Sequence, residues 1–241
     1  MIRIENLTKR FSKLTALDSV SLTMEQGRCI ALIGPNASGK TTLIKSVLGL
    51  VVPNEGKIFV HDAPVIGQWE YKKKIGYMPQ IGRYPENISI RQLFGMLVDI
   101  RRAEWAACDT ELYSRFEIEK ISSKKLRTLS GGTRQKISAC IAFLFNPSML
   151  ILDEPTAGLD PVSTEILKEK ILKEKANGKL ILITSHVLSD LDELVDEVVH
   201  LQEGKIDFRK SISTLRGETG EEKLSRAIAK VMGYNVHGET V

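Results

Sequence analysis

The sequence predicts an α/β fold: a largely parallel core sheet with helices, a small antiparallel β-layer near the start of the chain, and a helical insertion in its middle. Three observations predict it. A glycine-framed stretch, Gly34 to Thr42, stands between an apolar run, Cys29 to Ile33, and a helix-like stretch, Thr42 to Leu48. Two further apolar runs, Met149 to Leu152 and Leu180 to Thr184, read as buried parallel strands ending in Asp153-Glu154 and Ser185-His186. Residues 81 to 147 are mostly helical in pattern, whereas strands dominate on either side.

Composition bounds the answer. A chain of 241 residues holds one large α/β domain with an inserted subdomain. Hydrophobic content of 42% and charged content of 27% are ordinary globular values. The formal charge of +4 fits an anionic ligand and makes no case for nucleic acid. No apolar run approaches the ~18 residues that span a bilayer. The longest candidate, Ile137 to Phe145, is interrupted by Ser138. The opening Met1-Ile2-Arg3-Ile4-Glu5-Asn6 is charged and alternating, unlike a signal peptide, so a cytosolic chain is expected. Cys29, Cys108 and Cys140 are isolated, and buried thiols are expected rather than a disulfide or a metal site.

In chain order, Ile2, Ile4 and Leu7 mark a first strand, with Lys9 to Lys13 as a polar loop carrying the aromatic Phe11. Leu17, Val20, Leu22 and Met24 alternate as a second strand, and Gln26-Gly27 turns into the strand before Gly34. Pro53 to Gly56 is a turn, and Lys57 to His61 is a strand. Trp69 to Lys74 reads as a short basic helix, and the strand after it stops at Pro79. Within the insertion, Ile90 to Ile100 is an amphipathic helix with Leu93, Phe94, Leu97 and Ile100 on one face. Glu104 to Phe116 and Thr133 to Phe145 read as two more helices. Pro161 to Lys175 is a helix with Asp160 as N-cap and proline at its first position. Val187 to Leu194 reads as helical, and Val198 to Phe208 as a closing hairpin. Beyond residue 210 the chain is polar and weakly patterned, with one candidate helix from Glu222 to Met232. The expected organisation is one domain over residues 1 to 210, the helical part at about 81 to 147 inserted, and a short tail over 211 to 241.

The residue types of the first stretch specify phosphate chemistry. Gly34-Pro35-Asn36-Ala37-Ser38-Gly39-Lys40-Thr41-Thr42 follows Gly-x4-Gly-Lys-Thr between strand and helix. The glycines let successive N–H groups converge on one centre, and the helix start adds positive potential. Lys40 supplies a point charge for β- and γ-phosphates, and Thr41 a hydroxyl for Mg²⁺. The bland alternative is a glycine turn with a surface lysine. Asp153 is placed to hold Mg²⁺ through water and Glu154 to polarise an attacking water, against the alternative of two acids capping a loop. His186 follows a core strand toward the same edge, where it is placed to contact the γ-phosphate and orient the water, against the alternative of a structural histidine. Gln80 reaches Mg²⁺ or water, or merely ends a strand; Phe11 stacks on adenine, or fills a short loop. Ser130-Gly131-Gly132 begins a helix, where Ser130 is a cap and the free N–H groups form a second anion site or nothing more than a helix start. Two phosphate-type stretches far apart in one chain suggest an ATP shared between two protomers.

Taken together, these stretches resemble the nucleotide-binding subunits of the ATP-binding-cassette (ABC) family over roughly residues 1 to 208. Gly34 to Thr42 is similar to the Walker A motif, Gln80 to the Q-loop glutamine, and Ser130-Gly131-Gly132 to the signature motif. Leu150 to Glu154 resembles Walker B with its catalytic glutamate, Ala157 to Asp160 the D-loop, and His186 the switch histidine. Phe11 sits where the family has its adenine-stacking aromatic. Thr133 departs from the commonest glutamine of the signature.

The resemblance implies a P-loop NTPase core of RecA-like type and ATP hydrolysis with Mg²⁺. It implies a head-to-tail dimer around two ATP molecules, with Lys40, Glu154 and His186 in catalysis and Thr41, Gln80 and Asp153 at the metal. It also implies an integral membrane permease, received near residues 80 to 100, and a place on the inner face of the cell membrane. The short tail looks like the class serving separate six-helix permeases of exporter type. Ser185-His186-Val187-Leu188 and the acidic residues after it look like the copper-linked transporter that serves nitrous-oxide-reductase maturation. A cytosolic cassette ATPase with no transport role is the alternative. Repair types need a long coiled-coil insert, translation types usually carry two cassettes, and a GTPase needs an Asn-Lys-x-Asp reader; none of these is in the sequence.

Overall fold

The computed structural model describes residues 1–233. The chain divides into two compact units, Met1–Tyr71 with the segment from Leu180 onward, and Lys72–Lys179.

The first unit opens with β1 (Ile2–Phe11) and β2 (Leu14–Met24), paired antiparallel. Ile2 opposes Met24, Ile4 opposes Leu22 and Leu7 opposes Val20, and all six are buried, so the alternation read from sequence is the inward face. β1 runs on through Lys9, Arg10 and Phe11, which were expected to form a loop. The Arg10 N–H donates to Asn54 Oδ1 at 2.8 Å and its guanidinium pairs with Glu55 at 2.7 Å, which keeps the strand, irregular in register around Lys9, paired out to the turn. Next come the fully buried β3 (Cys29–Ile33), α1 (Lys40–Val47), β4 (Glu55–Val60), which pairs with β1, and the two-residue β5 (Ala63–Pro64). The basic stretch before the next strand is a 3₁₀ turn, Glu70–Lys74.

The second unit begins with β6 (Ile75–Met78) and α2 (Ile90–Arg101). α2 starts with a full capping box, Ser89 bonded to the Gln92 N–H and the Gln92 side chain to the Ser89 N–H. Leu93 and Phe94 are buried, but Ile100 is 70% exposed, so the apolar face stops short of the helix end. The helix expected over Glu104 to Phe116 is broken. A 3₁₀ turn, Trp105–Ala107, is separated from α3 (Glu111–Arg115) by extended Cys108 and by Asp109. The Asp109 N–H donates to the Leu144 carbonyl at 2.8 Å and its carboxylate takes the Lys170 ammonium at 2.5 Å, which draws the chain out of a helical path. α4 (Gly131–Phe143), β7 (Met149–Asp153) and α5 (Pro161–Ala176) follow, and β6 runs parallel to β7.

The chain returns to the first unit with β8 (Leu180–Thr184), β9 (Glu197–Gln202) and β10 (Lys205–Ser211). β3 lies between β8 and β9 and parallel to both, and β10 closes antiparallel on β9. The hairpin turn Glu203-Gly204 has positive φ at both residues, 49° and 77°. Val187 to Leu194 holds only a 3₁₀ turn, Leu188–Asp190, because Ser185 Oγ accepts from the Val187 N–H at 2.9 Å and caps a bend instead of a helix. The tail holds α6 (Ile212–Thr219), unexpected from the sequence, and α7 (Leu224–Val231) within the expected span. Cys29 and Cys140 are buried; Cys108 is only half-buried. Among the described residues, no helix is long and apolar enough to cross a membrane.

Candidate active site

The phosphate loop leaves the end of β3, and the backbone around it dictates its glycines. Gly34 has φ of 148°, and a Cβ there would stand 2.0 Å from the Leu201 carbonyl oxygen. Gly39 has φ of 108°, and its Cβ would meet the Ala16 carbonyl at 2.4 Å. No side chain fits either place. Between them Pro35, Asn36 and Ala37 are exposed, Ala37 has φ of 63°, and the Ser38 N–H donates to the Pro35 carbonyl at 3.2 Å. The Gly204 N–H in turn donates to the Ser38 carbonyl at 3.0 Å, so the β9–β10 turn braces the loop.

α1 then starts at Lys40, followed by Thr41 and Thr42, with no side chain capping its first turn. The helix start therefore presents its partial positive charge without a side-chain cap. Lys40 Nζ bends back across the loop to the carbonyls of Gly34 at 2.7 Å and Pro35 at 2.9 Å. Ser38 is 3% exposed, and its Oγ has no hydrogen-bond partner. A buried hydroxyl left so costs roughly 1–3 kcal/mol, which an acceptor oxygen in the loop would recover.

His186 follows β8 and is exposed, just beyond the buried Thr184 and Ser185. Within this unit the structure brings it together with the phosphate loop: a cavity of about 370 Å³ is lined by Gly34, Pro35, His186 and His200, with Ile228 and Met232 from the tail. Phe11, opposite Leu14 at the tip of the β1–β2 hairpin, is 45% exposed, with Lys9 Nζ 4.9 Å from its ring centre.

The second unit carries the acidic residues. Asp153 ends β7 and is buried, as is Glu154 after it. Glu154 has φ of 54°. This left-handed backbone costs a non-glycine residue about 1–2 kcal/mol and is retained at functional sites more than elsewhere. Burial first, and then the charge of Asp153, push the Tyr77 hydroxyl up to about 12. Gln80 lies two residues beyond β6 and is exposed.

Ser130 caps α4, its Oγ accepting from the Thr133 N–H at 3.3 Å and meeting Thr133 Oγ1 at 2.9 Å. Gly131 has open space around it, whereas a Cβ on Gly132 would stand 2.7 Å from the Gly158 carbonyl oxygen. Asp160 caps α5 through the Ser163 N–H at 2.9 Å and pairs with Lys136 at 2.8 Å. Lys136 first, and then Ser163, hold the Asp160 carboxyl well below the usual range.

Two groups went unread in the sequence. Gln135 is buried and donates from Nε2 to the Glu154 carbonyl at 3.2 Å. Its signal is an amide at helical spacing from Ala139 and Ala142, on a buried face that also holds Ser138. Lys136, one residue on, is visible only through its partner.

Residues 17–157 match the family profile described as ABC transporter. The chain is 34% identical over 229 residues to YhaQ of Bacillus subtilis (strain 168), an uncharacterized ABC transporter ATP-binding protein, covering 93% of this chain and 76% of that protein. It is 31% identical over 208 residues to a Nod factor export ATP-binding protein I of Burkholderia lata, covering 85% of this chain and 68% of the other. The solved structure of an ATP binding subunit of an ABC transporter matches with a TM-score of 0.88 at 26% identity, covering 96% of this chain and 99% of that one. The profile and YhaQ each extend well past the glycine loop into the acidic strand end, so the two stretches are parts of one ATPase, and the chain belongs to the ATP-binding subunits of ABC transporters.

Proposed function

We propose that this chain is the ATP-driven motor of a membrane transporter, acting as a head-to-tail pair of copies that drives a separate permease. The observation that carries the reading is the phosphate loop, where buried Ser38 Oγ lacks a partner and Lys40 rests on two carbonyls of the loop. An arriving triphosphate offers Ser38 an acceptor and Lys40 a full anion in place of those carbonyls. The backbone N–H groups from Gly34 to Thr42 surround the β- and γ-phosphates, and Phe11 stacks on the base. The hydroxyl of Thr41, the amide of Gln80 and the carboxylate of Asp153 are hard oxygen donors of the kind Mg²⁺ takes, and when bound the ion neutralises phosphate charge.

Glu154 polarises the attacking water, a role worth ~10²–10⁴ in rate, and His186 orients it against the γ-phosphate. Ser130, Gly131, Gly132 and Asp160 serve the partner copy's ATP. Binding then shifts the pair toward its closed state. Residues 1 to 210 form the cassette with its helical part inserted at about 81 to 147, and residues near 80 to 100 meet the permease on the inner face of the membrane. The Nod factor export relative supports the export direction. A copper or sulfur cargo is the narrower proposal and rests on the Ser185 to Leu188 stretch, the acidic residues after it and the size of the chain.

The test is to pull down tagged Glu154→Gln protein with ATP from detergent-solubilised native membranes. A stoichiometric multi-helix membrane protein is expected. Recovery of soluble partners only would leave a cytosolic cassette ATPase with no transport role.

A further inference from the structure

We infer that Gln135 is a positioning residue for Glu154, and that through it the start of α4 and the proposed base move as one piece. The inference rests on the proposed role of Glu154. Gln135 is 5% exposed, and its amide donates to the Glu154 carbonyl at 3.2 Å. The same carbonyl accepts from the Ala157 N–H at 3.1 Å. Two donors on one oxygen fix the peptide plane after Glu154. That plane sets the direction in which the side chain leaves a backbone held at φ of 54°.

The donor belongs to the helix whose first turn is the Ser130-Gly131-Gly132 stretch. Two more contacts fasten that helix to the loop after Glu154: Gly132 against the Gly158 carbonyl, and Lys136 with Asp160 at 2.8 Å. A shift of the first turn of α4, where the partner copy's ATP is proposed to bind, is therefore transmitted to the base that serves the chain's own ATP. Packed elements of this kind respond as discrete rearrangements and not as gradual deformation.

The experiment measures steady-state ATP hydrolysis and ATP affinity of the full chain for wild type, Gln135→Leu, Gln135→Glu and Glu154→Gln. Gln135→Leu keeps the bulk and removes the donor. It is expected to lower kcat about tenfold while ATP affinity stays within about twofold, a split that a change in packing alone does not produce. In Gln135→Glu the new carboxyl group can donate only when protonated, and burial raises its pKa. Its turnover relative to wild type should therefore climb as pH falls from about 8 to about 6.

A folded Gln135→Leu protein with kcat within about twofold of wild type would overturn the inference. If that variant does not fold, a flat pH ratio for Gln135→Glu overturns it instead. Glu154→Gln is the separate control. Wild-type turnover there would sink the base assignment itself, whatever the Gln135 variants do.

Discussion

Lys136 Nζ and Asp160 Oδ2 meet at 2.8 Å, so the helix after Ser130-Gly131-Gly132 is ionically tied to the residue that caps α5. The pair is partly open to water, so its thermodynamic weight is small and its effect is on geometry. A carboxyl lowered by a partner contributes stability that is present above its unfolded pKa of about 3.9 and lost as pH falls through the folded value. In Lys136→Met the largest cause of that lowering is gone. The Asp160 carboxyl should then titrate at higher pH, read from its carbon chemical shift by NMR. An unchanged midpoint would mean that Ser163 alone holds it.

The two glycines of the Ser-Gly-Gly start should separate folding from function. Gly132→Ala places a Cβ 2.7 Å from a backbone oxygen and should cost about 1–3 kcal/mol in urea denaturation. Gly131→Ala meets nothing and should leave stability unchanged or raise it by up to about 1 kcal/mol. If the partner's phosphate approaches this backbone, Gly131→Ala should still lose ATP-dependent association, measured by size exclusion in the Glu154→Gln background. Full association would remove this turn from the ATP contact.

Much of this was legible in the sequence because the informative positions are covalently local. The phosphate loop is one stretch, and its neighbouring strands announce themselves as unbroken apolar runs, since both faces of β3, β7 and β8 are buried. What was lost depends on partners distant in sequence. The kink at Asp109 is imposed by Leu144 and Lys170, and the extension of β1 to Phe11 by Asn54 and Glu55. α6 escaped because a short helix carries little periodic signal, although Ser211 before Ile212 and Leu215 is its cap. Gln135 was invisible because a buried amide acquires meaning only from the carbonyl it meets.

The tail should steady the segment after His186. The Leu224 N–H donates to Asp192 Oδ1 at 2.8 Å, and Arg216 stands 3.7 Å from the same carboxylate, which anchors α6 and α7 to the stretch following the 3₁₀ turn Leu188–Asp190. Asp192→Ala removes both contacts. Amides of residues 187 to 195 should then exchange with deuterium faster, while those of β8 keep wild-type protection. Equal exchange in both proteins would make the tail an independent appendage.

Lys170 makes the acid limb of stability predictable. It is 2% exposed and lies within 2.5 to 3.0 Å of Asp109, Glu174 and Glu111; Lys173 adds a bond to Glu111, and Lys179 one to Glu174. Burial pulls the Lys170 ammonium down, but the three carboxylates win and hold it above its ordinary value. For Glu174 burial pushes up, and the bonds from Lys170 and Lys179 win in the other direction; Glu111 is lowered first by its bond from Lys173. The signs follow. The glutamates contribute stability that is full above their unfolded pKa of about 4.3 and is lost as pH falls through their lower folded values. The lysine's contribution is full below about 10.4 and is lost as pH rises through its higher folded value. Lys170→Met takes away the cation that Asp109, Glu111 and Glu174 share, leaving Glu111 with Lys173 and Glu174 with Lys179, and should cost up to about 3–5 kcal/mol at neutral pH. Because Glu111 and Glu174 then lose one of the cations that hold their carboxyls low, they gain from protonation, and the deficit against wild type should shrink as pH is lowered toward about 4. Urea midpoints of both proteins across that range decide it, and a deficit independent of pH would mean that Lys170 acts through its packed methylene chain and not through its charge.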